Sequence, residues 1–290
     1  ALGMLVLGNN GLGGWGGRAG EKNFASTETS SDPQLKLLNE KLLQLQIKSL
    51  DDPANKVHWA VIADHLQSQG NPLGDLIVLE LERDARIARG ETDDLTSLVE
   101  MIVGVRKDIE QKINRSLGYK NIFRISFGPR LGFGLDFAGK PSDGYSTAIE
   151  KFFSSDFSRL FRILSLGTAK TTIEELRSIV GLKNIQGILS LSLSWCRLGP
   201  DCARIIADSK NLRNLQLLDL HFNGIGDDGA SAIANSENLR NLVSLHLNSN
   251  GIGDDGARAI ANSEGLGSLK RLTLSYNQIR EEGANAIANS

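Results

Sequence analysis

One pattern constrains this chain more than any other. The motif L-x-x-L-x-L-x-x-N-x-I occurs three times in the C-terminal third, each copy 27 residues after the last. It runs through Leu215, Leu218, Leu220, Asn223 and Ile225, then Leu242, Leu245, Leu247, Asn250 and Ile252, then Leu269, Leu272, Leu274, Asn277 and Ile279. A fixed period of this length means stacked units, none of which buries its apolar face alone. Leucines alternate with other residues at period two, so Leu218 and Leu220 point inward while Leu217, Asp219 and His221 point outward. Such segments are too short to stand alone, so neighbouring copies pair as parallel strands. The asparagine stands where the chain leaves the strand, and its amide can satisfy backbone groups there. The return segment, I-G-D-D-G-A-x-A-I-A-N-S, opens on aspartate as a helix start prefers, and its alanines let a short helix lie close to the strands.

These residues resemble the leucine-rich repeat family in its ribonuclease-inhibitor-like form. The resemblance implies an α/β solenoid, a right-handed horseshoe with parallel strands inside and helices outside. Stepping back by 27 finds weaker copies. One is Ile188, Leu191, Leu193, Cys196 and Leu198, with a cysteine at the asparagine position as in family variants. Another is Phe161, Leu164 and Leu166, with Ala169 departing from the pattern. Repeats are therefore expected over 157–290, with Cys196, Asn223, Asn250 and Asn277 as a structural ladder.

Upstream, residues 1–32 are Gly-rich and then Ser/Thr-rich, the composition of a flexible linker. Leu2, Leu5, Leu7, Asn10 and Leu12 also fit one repeat strand, either a remnant of an upstream array or a coincidence in a leucine-rich stretch. Gly11, Gly13 and Gly16 satisfy G-x-G-x-x-G, but Gly17, Gly20 and Asn23 break the helix a dinucleotide site requires. Residues 33–117 have helical periodicity, marked by Leu35, Leu38, Leu42 and Leu45, then Trp59, Ile62, Ala63 and Leu66, then Leu76, Leu79 and Leu81, then Leu95 to Ile113. This predicts a small all-α domain ahead of the solenoid. The stretch from His58 to Ile77 is similar to the bacterial repeat-companion domain, with His65, Asn71 and Asp75 in place of that family's Trp, Asp and Glu. That resemblance implies a bacterial source and carries no chemistry with it. His58, His65, Asp64 and Asp75 match no tight metal spacing and are read as caps and interhelical hydrogen bonds. Residues 118–156 alternate around Phe123, Ile125, Phe127, Leu131, Phe133, Leu135 and Phe137, predicting strands and then a helix from Ser146, a unit that seals the first coil.

A net charge of −2 gives no basic field for nucleic acid. No run of 18 apolar residues and no signal-peptide pattern is present, so a cytoplasmic protein is expected. Cys196 and Cys202 are expected to be reduced, buried thiols. The chain starts without Met and stops partway through a repeat, as expected of a fragment. Leu272, Leu274 and Ile287 are then expected to be exposed, calling for further repeats or end-to-end association.

Function is expected on the outward face of the strands. The ladder there includes Asp219, His221, His246, Asn248, Arg271 and Thr273, and one position further on stand Trp195, Phe222, Ser249 and Tyr276. Aromatic rings beside polar groups have the composition of a protein-binding hot spot, or they shield the asparagine ladder. His221 and His246 are expected to be stacked in adjacent coils about 4.8 Å apart. No P-loop, nucleophile elbow or zincin motif is present, and no metal or cofactor is implied. The expected function is a non-enzymatic protein–protein interaction scaffold. Two alternatives are a GTPase-activating regulator, a kind sharing this repeat type and needing an exposed turn residue such as Arg197 or Arg280, and an enzyme using His58 or Asp64.

Overall fold

Each 27-residue period folds into one coil of strand, turn and helix, and the coils stack through one sheet. The computed structural model describes residues 57–91, 95–120, 122–128, 132–138, 140–155, 158, 161–167 and 171–290. The expectations for the linker, the glycine motif, the first helix and Ala169 lie outside these residues, as does the side chain of His58.

Among the described residues three helices come first: α1 (Val57–Ser68), α2 (Pro72–Arg89) and α3 (Leu95–Ser116). Asn71 caps α2, its Oδ1 accepting from Leu73 N at 3.0 Å, with Pro72 at the first helical position and Gly90 closing the helix in the left-handed region. Gly74 lets α1 and α2 touch, because a Cβ there would lie 2.8 Å from the Ala63 carbonyl. Glu80 of α2 is buried and is held by Arg83 and by Arg106 of α3. Leu76 is fully buried, whereas Leu79 and Leu81 are only half-buried.

A hairpin follows, β1 (Phe123–Gly128) and β2 (Gly132–Phe137), then α4 (Gly144–Phe153). Next come β3 (Phe161–Ser165), α5 (Ile173–Gly181), β4 (Ser190–Ser192), α6 (Pro200–Asp208) and β5 (Leu217–Asp219). The series ends with α7 (Gly226–Ala234), β6 (Ser244–His246), α8 (Asp254–Ala261), β7 (Arg271–Thr273) and α9 (Glu281–Ala288). The seven strands form one sheet in sequence order, antiparallel only between β1 and β2. Register follows the period, with Leu164 beside Leu191, then Leu218, Leu245 and Leu272. Leu218, Leu220, Leu245 and Leu247 are wholly buried. The first coil is closed by a phenylalanine cluster in which Phe152 meets Phe161 at 4.8 Å and Phe133 meets Phe161 at 5.5 Å. Trp59 of α1 packs edge-on against Phe127 at 5.0 Å, so the helices and the sheet share a core.

β1 is an edge strand, and α3 covers it with two side chains one turn apart. Asn114 accepts from Ile122 N (2.7 Å) and Phe123 N (2.9 Å) and donates to the Phe123 carbonyl (3.0 Å). Glu110 accepts from Ile125 N at 3.0 Å and pairs with Arg124. Unpaired edge groups invite a foreign strand, and these buried side chains occupy them.

Where the strands turn, asparagines join the coils. Asn250 donates to the Leu220 carbonyl at 2.9 Å and accepts from Asn223 N at 3.0 Å and Ile225 N at 3.4 Å. Asn277 repeats this on Leu247, Asn250 and Ile252, and Asn223 donates to Leu193. Cys196 keeps half of the arrangement, its Sγ donating to the Leu166 carbonyl at 3.3 Å. Cys202 is a buried thiol whose pKa is pushed up to about 12 by that burial, while Cys196 is half-buried rather than enclosed.

The aspartates open their helices as expected and also serve the next coil. Asp227 lies in the first turn of α7 and caps α8, accepting from Gly253 N (2.7 Å) and Gly256 N (2.9 Å). Asp254 does the same for α9 through Arg280 N and Gly283 N, at 2.8 and 2.9 Å. The glycine of D-D-G-A, and of E-E-G-A in the last coil, is what admits the carboxylate, since a Cβ at Gly256 or Gly283 would fall 2.6 Å from it. Those two amides hold the Asp254 carboxyl below the usual carboxylate range. Leu272, Leu274 and Ile287 are half-buried rather than fully exposed.

Two outcomes follow for stability. Asn250→Ala strands the Leu220 carbonyl and the Asn223 amide, and is expected to cost about 3 kcal/mol in urea unfolding, whereas Asn250→Cys retains a donor and costs less. Asp254 has a lowered native pKa, so its contribution is complete above about pH 4 and is lost as pH falls through the native value. Asp254→Ala is therefore expected to lower the melting temperature at pH 7, and the gap from the parent chain should close on acidification; a gap of constant size would contradict the cap.

Candidate functional site

The open face of the sheet carries rows of side chains set by strand register. Ser192, Asp219, His246 and Thr273 form one row across β4 to β7. Asp219 is held on both oxygens, by Ser192 Oγ at 3.2 Å and by its neighbour His221 N at 3.0 Å. His246 Nε2 and Ser244 Oγ are 3.0 Å apart. Asn248 accepts from Ser275 N at 2.8 Å, which ties the rim of β6 to β7. Arg271 is exposed on β7, and Thr273 is half-buried beside it with a buried Oγ1 that has no hydrogen-bond partner.

The two histidines do not stack as expected. His246 is in register with Asp219, two residues short of His221. They are diagonal neighbours, because a period of 27 aligns 219 with 246 and 221 with 248. Among the described residues no group of three or more His, Cys, Asp or Glu could hold a metal ion.

Beyond the row lies the aromatic column. Trp195, Phe222, Ser249 and Tyr276 have φ of 64°, 58°, 55° and 57°. All four stand in the left-handed region, which side-chain-bearing residues enter at a cost of roughly 1–2 kcal/mol. The shared conformation follows from the ladder: Trp195 N donates to the His221 carbonyl, Phe222 N to Asn248 and Ser249 N to Ser275, at 2.8, 3.0 and 2.9 Å. The chain thus stays bonded to the next coil while it turns towards the helix. Equal φ at equal register sets the four residues in one column along the rim of the sheet. Trp195 and Phe222 stack with centroids 4.1 Å apart and planes 23° from parallel, and His221 meets Trp195 edge-on at 5.4 Å. The Arg197 guanidinium lies 5.7 Å from the Phe222 centroid. Trp195 is 52% exposed and Tyr276 88%.

Sequence reasoning placed these rings one position beyond the ladder and missed the left-handed backbone. The signal was present: Ser249 shares the alignment, and a position that takes both Trp and Ser is not chosen by the core. Of the residues considered for other chemistry, Asp75 accepts from Gln67 Nε2 at 2.8 Å, Asp64 is exposed, and Arg280 precedes α9 with its amide on Asp254.

Residues 211–234, 238–261 and 268–288 match a family model described as Leucine Rich repeat. No curated protein matches the chain. Among solved structures it is similar to an internalin from Listeria monocytogenes, at 17% identity and a TM-score of 0.32. That similarity covers 49% of this chain and 41% of the internalin, so the chain spans less than half of that protein. No helix among the described residues is long and apolar enough to cross a membrane.

Proposed function

We propose that these leucine-rich repeats form a non-enzymatic scaffold that binds another protein across the open face of the sheet and its aromatic rim. One observation carries this reading. Ser249 holds the same φ as Trp195, Phe222 and Tyr276, with its backbone bond to the next coil intact. The coil therefore closes without a ring at this position, so the fold does not account for the rings. Large, rigid side chains half in water beside a polar row favour a protein partner, because they supply contact area at little entropic cost. Asp219, His221, His246, Asn248, Arg271 and Thr273 supply the polar rim of that surface.

The other readings gain no support. Arg197 is engaged with Phe222, and Arg280 is a helix-entry residue, so neither is poised as a catalytic finger. Asp64 is exposed to solvent. The resemblance of the helical stretch to the bacterial companion domain fits a module that precedes and seals a repeat array.

The triple variant Trp195→Ala, Phe222→Ala, Tyr276→Ala tests the proposal. A partner captured by the wild-type chain from its source lysate should be lost to the variant by at least tenfold, with the melting temperature unchanged. Undiminished capture by the folded variant would remove the rim from the binding surface.

A further inference from the structure

The aromatic column has a gap one ring wide. Trp195 and Phe222 show the intended spacing, with adjacent coils placing rings 4.1 Å apart and nearly parallel. Continuing at that spacing, the next ring would stand at 249 and the one after at 276. Ser249 breaks the series, and Tyr276 resumes it. All four residues share one left-handed conformation at equivalent places in successive coils, so position 249 stands between 222 and 276 in the column. Two coil spacings are about 10 Å. Two successive stacking contacts of 4.1 Å fit within that span. Tyr276 has no ring neighbour among the described residues and is 88% exposed, which fits a wall waiting for its partner.

We infer that the space above Ser249, between Phe222 and Tyr276, receives a neutral planar aromatic side chain from the protein partner, completing a four-ring stack. This rests on the protein-binding reading above and names the chemistry it selects. A ring is favoured over an arginine because the column already holds a cation, with the Arg197 guanidinium 5.7 Å from the Phe222 centroid, and a second would be repelled. A nucleobase is disfavoured because a chain with a net charge of −2 supplies no basic field to hold its phosphates. Stacking of this kind is sequence-tolerant for the ring and strict for the slot.

The test uses the full chain and three probes: N-acetyl-tryptophanamide, N-acetyl-argininamide and methyl glucoside. Each is titrated while the NMR amide resonances of Phe222, Ser249 and Tyr276 are followed. The tryptophan amide should shift all three saturably in the millimolar range. Ser249→Phe should fill the slot and abolish those shifts without lowering the melting temperature, and Tyr276→Ala, at a solvent-exposed position, should weaken them at least fivefold. Saturable shifts from the arginine or sugar probe in place of the aromatic one would overturn the assignment, as would undiminished aromatic binding by folded Tyr276→Ala. The two proposals fail differently. A captured partner that resists Ser249→Phe but is lost to the triple alanine variant sinks the slot and leaves the surface; resistance to both sinks both.

Discussion

The asparagine that ends each strand is what turns a set of short strands into a solenoid. A three-residue strand such as Ser244–His246 has few bonds of its own, and the tight turn after it leaves backbone groups facing inward. The Asn250 amide meets both demands. Its nitrogen reaches back to Leu220 and its oxygen takes the amides of Asn223 and Ile225. Each asparagine therefore closes the turn of the coil before its own. A leucine core fills space but cannot fix register; a buried amide with directional bonds can, because misregistry strands it at a cost of 1–3 kcal/mol per group, to order of magnitude.

The same rule of reaching into the neighbouring coil recurs at other levels of the structure. On the helical side, Ser209 donates to Val180 and Ser236 to Ala207, at 2.7 and 2.6 Å, satisfying helix-end carbonyls one coil back. At the helix starts, Asp227 and Asp254 satisfy amides one coil forward. Helix ends that would need caps from their own sequence instead borrow them, so a single coil is incomplete and the stack is cooperative. The N-terminal edge must then be closed by something other than a repeat, and Glu110 and Asn114 on α3 do this by imitating a strand's hydrogen bonds with side chains.

What could be read from the sequence divides along physical lines. The leucine, isoleucine and asparagine positions were legible because burial repeats with the period, and the strand order followed. The hairpin was legible from alternating phenylalanines. The aspartates at the helix starts were legible from a local rule, but only coordinates reveal that their carboxylates also accept from the next helix. The edge cover was invisible, since Glu110 and Asn114 look like ordinary polar residues of an amphipathic helix until β1 is placed beside them. The histidine pair failed for a simpler reason: 246 minus 27 is 219, not 221.

The aromatic column shows how the fold fixes the backbone of a position and leaves its side chain free. The ladder imposes the left-handed backbone at 195, 222, 249 and 276, and with it the direction of each side chain. It imposes nothing on the side chain's identity, as Ser249 demonstrates. Glycine or asparagine would relieve the backbone at such sites. Tryptophan, phenylalanine and tyrosine do not, and Trp195 and Tyr276 leave much of their surface in water. Two unfavourable terms, backbone strain and exposed ring, thus coincide at residues the core does not use. Among the described residues they are offset in part by the Trp195–Phe222 stack, the edge-on His221 ring and the Arg197 contact. Under the proposed binding role, a partner ring would remove the exposed surface and leave the strain as a fixed, pre-organised geometry, the condition under which rigid rings bind well.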